Sequence, residues 1–331
     1  MLILKCNILI IGKDNKKIMF DYVSSVEITT SIKDLTDTAK ITVPRKMRWR
    51  EKPLTDFIER GNKITIQLGY ENYKIETVFT GYVKSFTNRT PITIECENEM
   101  YLLKQTKVQP RRYEKFDFKQ FMSEYASDIT VELPSKNDLN FGEVIIKDEV
   151  SVAGVLEQLK KNNPFNAFFR ESKMYAVLTQ TTLNKEGEIK TIVFNAEKNI
   201  IDSKNIKYTL ADDVNIRVKA ISILANNKRL EAISPKGKND GELRTFHCSK
   251  YKTQAELQKY ADDMLNEVKI DKAEGSFTAF GIPYVRKADR VKIIDKINAD
   301  INNKTFNIEA VKYSFGTSGY RQTITLGNEL K

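Results

Sequence analysis

The segment VKYSFGTSGYRQTITLGNE, from Val311 to Glu329, lies in the last strand-rich region of the chain. An earlier segment, VKSFTNRTPITIECENE, from Val83 to Glu99, has a similar pattern with a shorter turn. Both place alternating apolar and polar residues on either side of turn-forming residues, which is typical of two antiparallel strands joined by a turn. The chain therefore carries one piece of β-structure twice, and this decides the fold.

The likeness extends upstream of both segments. ITIQLGYENYKIETVFTGYVKSF, residues 64–86, aligns with VKIIDKINADINNKTFNIEAVKYSF, residues 291–315, and each reads as strand, hairpin, strand. This alignment matches Val83 with Val311, and both copies end in Asn-Glu. A chance likeness between two β-meanders is the alternative. Similar spacing over roughly 35 residues favours duplication of a small barrel.

Composition and length indicate a folded, soluble protein. The chain has 331 residues, of which 40% are hydrophobic, and it contains no apolar run long enough to span a membrane. The cysteines Cys6, Cys96 and Cys248 are odd in number and far apart, so they predict neither a disulfide framework nor a zinc site. A reducing compartment fits this pattern best.

The formal net charge of +10 raises the question of nucleic-acid binding. Basic residues are spread along the whole chain, and the densest groups lie beside turn signals, at Arg45-Lys46 with Arg48 and Arg50, and at Arg111-Arg112. A solvated surface is therefore favoured over a phosphate-binding face, which stays open as the alternative.

The hydrophobic period divides the chain into three regions. Residues 1–104 read as short strands of a first β-barrel, residues 105–205 as a mixed α+β domain, and residues 206–331 as a second β-barrel. An inserted loop and helix occupy about 226–275 of the last region. The predicted fold class is mainly β with α+β insertions, in which two antiparallel β-barrel modules are joined by a mixed domain.

Three helices have clear start signals. Asp117 precedes FKQFMSEY and Ser151 precedes VAGVLEQLKKN, each in the position of an N-cap. Thr253 and Glu256 form a capping box in front of a continuous apolar stripe, which predicts the helix of the insertion.

The sequence offers little from which to build a catalytic site. His247 is the only histidine, and its neighbour Cys248 would point to the opposite face of a strand. Glu95 and Glu97 share a strand face, but nothing nearby indicates a sugar cleft, so a solvated or channel-lining face is favoured. With no phosphate-binding glycine loop either, we predict no enzyme activity and no catalytic, cofactor-binding or metal-binding residue.

The order of two motifs resembles the baseplate hub proteins of contractile phage tails, the late-control protein D family, and the hub part of type VI secretion spike proteins. The first motif is FGIPYVRKADRVKIID, Phe280 to Asp295, where the family has Gly, Pro and then Gly-Asp before a strand. The second is YSFGTSGYRQTITLG, a Gly-aromatic turn into a Thr-rich strand. Ala288 departs from the family Gly, so the turn there can differ from the positive-φ conformation that Gly permits.

The resemblance implies two tube-like barrels per chain and a homotrimer whose six barrels form a pseudo-six-fold ring. Such a ring adapts a six-fold tail tube to a three-fold spike, and it passes DNA without sequence-specific binding. The implied partners are the tail tube protein, a separate spike protein and other baseplate proteins, with no cofactor or small-molecule substrate. The implied location is the virion, after synthesis in the cytoplasm of a bacterial host.

Two other functions remain as alternatives. One is a nucleic-acid-binding protein built on small barrels, which needs an exposed aromatic platform that Phe79 and Tyr82 do not evidently supply. The other is a tail-associated enzyme that degrades the cell wall.

Overall fold

The computed structural model describes residues 3–49, 51–133, 139, 141–163, 165–178, 189–203, 206–209, 215–224, 228–237, 240–247, 251–269 and 272–330. Over these residues the chain is mainly β with helical insertions, so the predicted fold class is confirmed. No helix of the described residues is long and apolar enough to cross a membrane.

The first region is almost entirely strand, because its apolar residues alternate and every second side chain is buried. A short 3₁₀ helix interrupts the strands. The elements are β1 (Leu4–Ile11), β2 (Lys17–Phe20), β3 (Ser25–Ser31), β4 (Thr38–Val43), β5 (Arg48–Trp49), β6 (Lys52–Pro53), the 3₁₀ helix (Leu54–Phe57), β7 (Lys63–Tyr70), β8 (Ile75–Thr87) and β9 (Ile92–Glu97).

The middle region mixes helices with short strands around a core of its own. Asp117 and Ser151 cap their helices as predicted, because each side chain accepts a hydrogen bond from a first-turn N–H, at 2.9 Å from Gln120 and 3.1 Å from Gly154. The elements are α1 (Met100–Leu103), β10 (Lys107–Val108), β11 (Arg111–Tyr113), α2 (Phe118–Tyr125), β12 (Val131–Glu132), β13 (Val144–Ile146), β14 (Val150–Ser151), α3 (Val152–Asn162), β15 (Phe165–Arg170) and β16 (Lys173–Leu178).

The last region returns to strands and contains one long helix, which begins at the predicted capping box of Thr253 and Glu256. The elements are β17 (Thr191–Asn195), β18 (Ile200–Asp202), β19 (Lys207–Thr209), β20 (Ile216–Ile223), β21 (Arg229–Ser234), β22 (Glu242–His247), α4 (Gln254–Val268), β23 (Lys272–Glu274), β24 (Ser276–Phe280), β25 (Arg290–Ile294), β26 (Thr305–Gly316) and β27 (Gly319–Glu329).

Six strands of the first region recur in the last region in the same spatial order. The first set is β3-β4-β9-β8-β7-β1, and the second is β18-β24-β27-β26-β25-β17. When the six strands of each set are numbered along the chain, both sets have the spatial order second, third, sixth, fifth, fourth, first. One pairing differs, since β1 runs antiparallel to β7 whereas β17 runs parallel to β25. We call these sets the first module and the second module.

The second module begins earlier in the chain than the sequence pattern indicated. KTIVFN lies within residues 105–205, the predicted mixed region, but it forms β17 and pairs with β25 of the second module. β18 likewise pairs with β24. Single short strands have no local signal for which sheet they join, because pairing partners are distant in sequence.

The two modules join edge to edge within one 15-stranded sheet, a junction that the sequence pattern does not predict. β3 of the first module pairs antiparallel with β26 of the second, from Ser25 opposite Gly316 to Ser31 opposite Ala310. A single hydrophobic core collects buried side chains from both modules, among them Ile28, Ile66, Val311 and Ile324.

The bonding pattern also corrects the register of the repeat. The N–H and C=O of Val83 bond the backbone of Asn62 and Gly61, and those of Ile308 bond Asp289 and Ala288 in the same way. A β-bulge follows directly in each copy, between Val83 and Ser85 and between Ile308 and Ala310. Val83 is therefore equivalent to Ile308, and its predicted match with Val311 was wrong by three residues.

The insertion of the last region forms a separate small unit. β20 lies between β21 and β22 in its own three-stranded sheet, and α4 packs on β20 and β21. Its core includes Val218, Ala220, Leu257 and Ala261 and is distinct from the core of the two modules. The insertion therefore includes β20 and begins before the predicted residue 226, and it ends before β23, which pairs with β19 and β27.

Candidate functional site

The residues that were weighed for catalysis do not come together. Glu97 is 3% exposed and lies 2.7 Å from the ammonium of Lys84 and 2.8 Å from that of Lys104. Glu95 is exposed and accepts a hydrogen bond from Ser85 at 3.0 Å. One carboxylate is thus neutralised by two lysines while the other lies at the surface, which is unsuited to paired acid and base roles.

The remaining candidates supply no reactive group in the described part of the chain. Cys6 and Cys96 are buried, and burial raises the pKa of the Cys6 thiol to about 12, which makes it a poor nucleophile. Cys248 lies outside the described residues, and for His247 only the backbone is described. No cluster of His, Cys, Asp or Glu among the described residues could hold a metal ion.

The basic residues and strand aromatics do not form an evident nucleic-acid surface. Arg111 and Arg112 each make an ion pair, with Glu124 and Glu143 respectively. Phe79 is buried in the core, and Tyr82 stacks on Tyr101 with ring centroids 5.6 Å apart. These two aromatics therefore offer no platform on which bases could stack.

The most unusual polar feature is a buried ionic cluster where three parts of the chain meet. Lys287 of the second module places its ammonium 2.6 Å from both carboxylate oxygens of Asp37, which follows β3 in the first module. Arg170 at the end of β15 donates to Asp289 at 2.6 Å and to the carbonyl of Lys287 at 3.1 Å. These four side chains are all less than 10% exposed. We call them the junction cluster.

Burial governs the electrostatics of the junction cluster. It raises the pKa of Asp37 and lowers the pKa of Lys287, because removal from water disfavours either charged form. The hydrogen bonds that Ser31 and Asn98 donate to Asp37 compensate part of that cost. Groups held in this way fix the relative positions of the two modules and the mixed region.

The turn that carries Lys287 and Asp289 is itself repeated. Asp289 accepts a hydrogen bond from the N–H of Arg286 at 3.0 Å, as Asn62 does from the N–H of Glu59 at 2.7 Å. Ala288 has a φ of +65° and its equivalent Gly61 a φ of +88°. The turn at Ala288 thus keeps the positive-φ conformation despite the missing Gly.

A cleft of about 550 Å³ opens beside the junction cluster. Glu99 accepts a hydrogen bond from Ser172 at 2.6 Å on its wall, and Tyr284 donates to the carbonyl of Thr77 at 3.3 Å. The lining groups bond one another across the three regions. We therefore interpret the cleft as a seam, that is, a boundary between packed parts of the chain, and not as a ligand-binding pocket.

The surface offers contact features at equivalent places in both modules. Tyr73 at the tip of the β7–β8 hairpin is 68% exposed, and Ile297 at the tip of the β25–β26 hairpin is 95% exposed. A single exposed apolar side chain is common at the surface of soluble proteins, so what these two share is their equivalent position in the modules. The cluster could not be identified from the sequence, because it depends on which distant strands pair, whereas both hairpins lie in segments that the sequence predicts as strand, hairpin, strand.

A duplicated six-strand module, a mixed domain and a helical insertion define the class of fold, which solved structures share. No protein-family model and no curated protein matches the sequence. The tail protein from Neisseria meningitidis MC58 matches with a TM-score of 0.67 and 12% identity, over 98% of this chain and 97% of that one. The 43 kDa tail protein of prophage MuSo2 from Shewanella oneidensis has a TM-score of 0.64 and 14% identity, over 97% and 98%.

A component of the Escherichia coli type VI secretion system, described as structurally similar to bacteriophage T4 tail proteins, also matches. Its TM-score is 0.55 at 11% identity, over 93% of this chain and 74% of that one. At such identities the likeness is one of fold. The fold therefore agrees with the one that the resemblance to phage tail and type VI secretion proteins implied.

Proposed function

We propose that this protein is the structural baseplate hub of a contractile phage tail or a related injection machine. Three copies form a pseudo-six-fold ring, which joins a six-fold tail tube on one face to a three-fold spike on the other. The observation that carries this proposal is the head-to-tail repeat of the six-strand module within one chain.

Strand directions support a ring rather than a two-fold pair. β8 and its equivalent β26 both run antiparallel to β3, because β3, β4, β9 and β8 alternate in direction along the sheet. The modules therefore follow one another in the same orientation. Repetition of such a step generates a closed ring or an open filament, and three chains with two modules each close a ring of six.

The same arrangement gives each partner a matching surface. The equivalent hairpin tips of Tyr73 and Ile297 would occur six times on one face of a trimer, which suits a six-fold tube protein. The mixed region and the insertion occur three times, which suits a three-fold spike and other baseplate proteins. DNA passes through the bore without sequence-specific contacts, and the protein resides in the virion after synthesis in the host cytoplasm.

No enzyme activity belongs to this role. The hydrogen-bonded seam and the neutralised Glu97 favour a structural part over a hydrolase. A purified sample that cleared a peptidoglycan suspension, and lost this activity in the Glu95→Gln variant, would contradict this assignment.

Light scattering tests the assembly directly. The protein alone, or together with the spike protein of the same particle, should give a core of three chains, about 114 kDa from 38.1 kDa each. Formation of the trimer only with the spike supports the proposal, since a three-fold partner stabilises the state that it binds. A monomer or a dimer in both samples would contradict it.

A further inference from the structure

We propose that the outer edge of β8 at residues 85–87 pairs with the outer edge of residues 207–209 in a second copy of this chain. This inference rests on the proposed ring and names the strands that close it. It follows from the repeat, since the chain already contains one example of the same junction.

The example is the pairing of β3 with β26. Beyond its bulge, β26 leaves β25 and pairs instead with β3 over seven residue pairs, from Ala310 to Gly316. The ammonium of Lys33 lies 2.6 Å from the carboxylate of Glu309, the bulged residue, and further fixes the junction. One module thus joins the next through the segment that follows the bulge.

Each strand of this junction has an equivalent at the far side of the other module. The segment after the bulge of β26 corresponds to Ser85–Thr87 of β8, because both bulges lie at equivalent places. β3 corresponds to the segment that contains β18 and β19. β3 pairs with β4, the next strand of its module, and in the same way β18 pairs with β24 and β19 with β23.

Both equivalent edges lack a partner within the described part of the chain. Ser85–Thr87 pair with β9 on one side only. Lys207–Thr209 pair only with β23, and β18 ends the sheet. Lys84, Ser85, Thr87 and Lys207 are exposed. Free strand edges of this kind are templates for pairing with another chain.

Direction and register follow from the intrachain example. Lys312 lies opposite Thr29 there, which places its equivalent Thr87 opposite Lys207 of the neighbouring copy. The hairpin that follows the bulge is longer in the second module than in the first. It spans 16 positions from Ile308 to Ile324, against 11 from Val83 to Ile94. The contact between copies therefore contains fewer residue pairs than the junction within the chain, so the two modules of one chain pair before the chains assemble.

Cysteine cross-linking tests this pairing. Residues opposite each other on antiparallel strands have Cα atoms about 4.5–5.5 Å apart, within the range of a disulfide. The double variant Thr87→Cys with Lys207→Cys should form covalent dimers and trimers under mild oxidation. Equal parts of the two single variants should form dimers only when mixed, and neither should form them alone. The matched control is Thr29→Cys with Lys312→Cys, which should bridge within one chain and remain monomeric on a denaturing gel.

Light scattering on the same samples separates the possible failures. A trimer by mass without cross-links beyond those of the wild-type chain would overturn the strand assignment and leave the proposed function intact. A monomer without cross-links, both alone and together with the spike protein, would overturn both. A ladder longer than three copies would support the edge pairing but contradict closure at three chains.

Discussion

Ala288 and Gly61 share one backbone conformation, but burial stabilises a methyl group more at position 288 than at position 61. An L-residue with positive φ costs about 1–2 kcal/mol. The Ala288 methyl offsets part of this cost, because it is buried against Phe168, Tyr175 and Val177. Gly61 has no such cluster around it, and a Cβ there would only reach ordinary contact with Tyr101.

We therefore expect an asymmetry between two reciprocal variants. Gly61→Ala should lower the free energy of unfolding by about 1–2 kcal/mol, whereas Ala288→Gly should change it by less than about 0.5 kcal/mol. Chemical denaturation of both variants measures the difference. Equal losses in the two variants would contradict the claim that packing offsets the cost of positive φ at Ala288.

Lys287 should be the most sensitive member of the junction cluster. Lys287→Met leaves the Asp37 carboxylate buried without its cation, and breaking a buried pair in this way costs about 3–5 kcal/mol. The double variant with Asp37→Asn should recover part of that loss, since no charge is then stranded. Lys312→Met is the matched control, because its pair with Glu27 is half exposed and should contribute less than about 1 kcal/mol. Similar losses for Lys287→Met and Lys312→Met in thermal unfolding would contradict this account.

Glu97 should make stability depend on acid pH. Burial by itself raises the pKa of this carboxyl, but hydrogen bonds and charge from Lys104 and Lys84 outweigh it, so the folded-state pKa lies below the usual 4.5. The carboxylate therefore stabilises the fold fully above about pH 4.5, and this contribution is lost as the pH falls through the folded-state pKa. Glu97→Gln should cost about 1 kcal/mol at pH 7, and the gap to wild type should narrow below pH 4.5. A gap that is constant from pH 7 to pH 3 would exclude this role.

At the scale of elements, local sequence signals predicted the helices, whereas the pairing of distant strands could not be predicted. Asp117, Ser151 and Thr253 cap their helices because a cap needs only the next three residues. The register of the repeat instead depends on a bulge and on hydrogen bonds between distant strands. The match of Val83 with Val311, based on similar residues alone, was therefore wrong. The buried pair of Lys287 and Asp37 could not be predicted for the same reason, since 250 positions separate its members.

The insertion should be dispensable for the fold of the two modules. Its core is separate, and the ends of β19 and β23 already lie opposite each other at Thr209 and Lys272. Replacement of residues 211–271 by a short Gly-rich turn should leave the main unfolding transition within about 5 °C of the full chain, a change of about 1–2 kcal/mol. Circular dichroism of the shortened chain measures this, and failure to fold would show that the insertion stabilises the sheet.

At the scale of the whole molecule, the duplication explains how one chain can serve two symmetries. Two modules in the same orientation present nearly equivalent surfaces, so three chains in the proposed ring would offer six similar sites on one face. The parts that occur once per chain, namely the mixed region and the insertion, offer three. A ring with both properties needs no further adapter between a tube and a spike, and this is the physical content of the proposed function.

Electron cryomicroscopy of the assembled protein, viewed down the ring axis, tests this claim most directly. The averaged image should show three-fold symmetry with six similar β-lobes around an open bore that is wide enough for a DNA duplex. It should also show three extra densities for the mixed regions. Two-fold particles, a closed centre, or isolated single chains even with the spike bound would contradict the account.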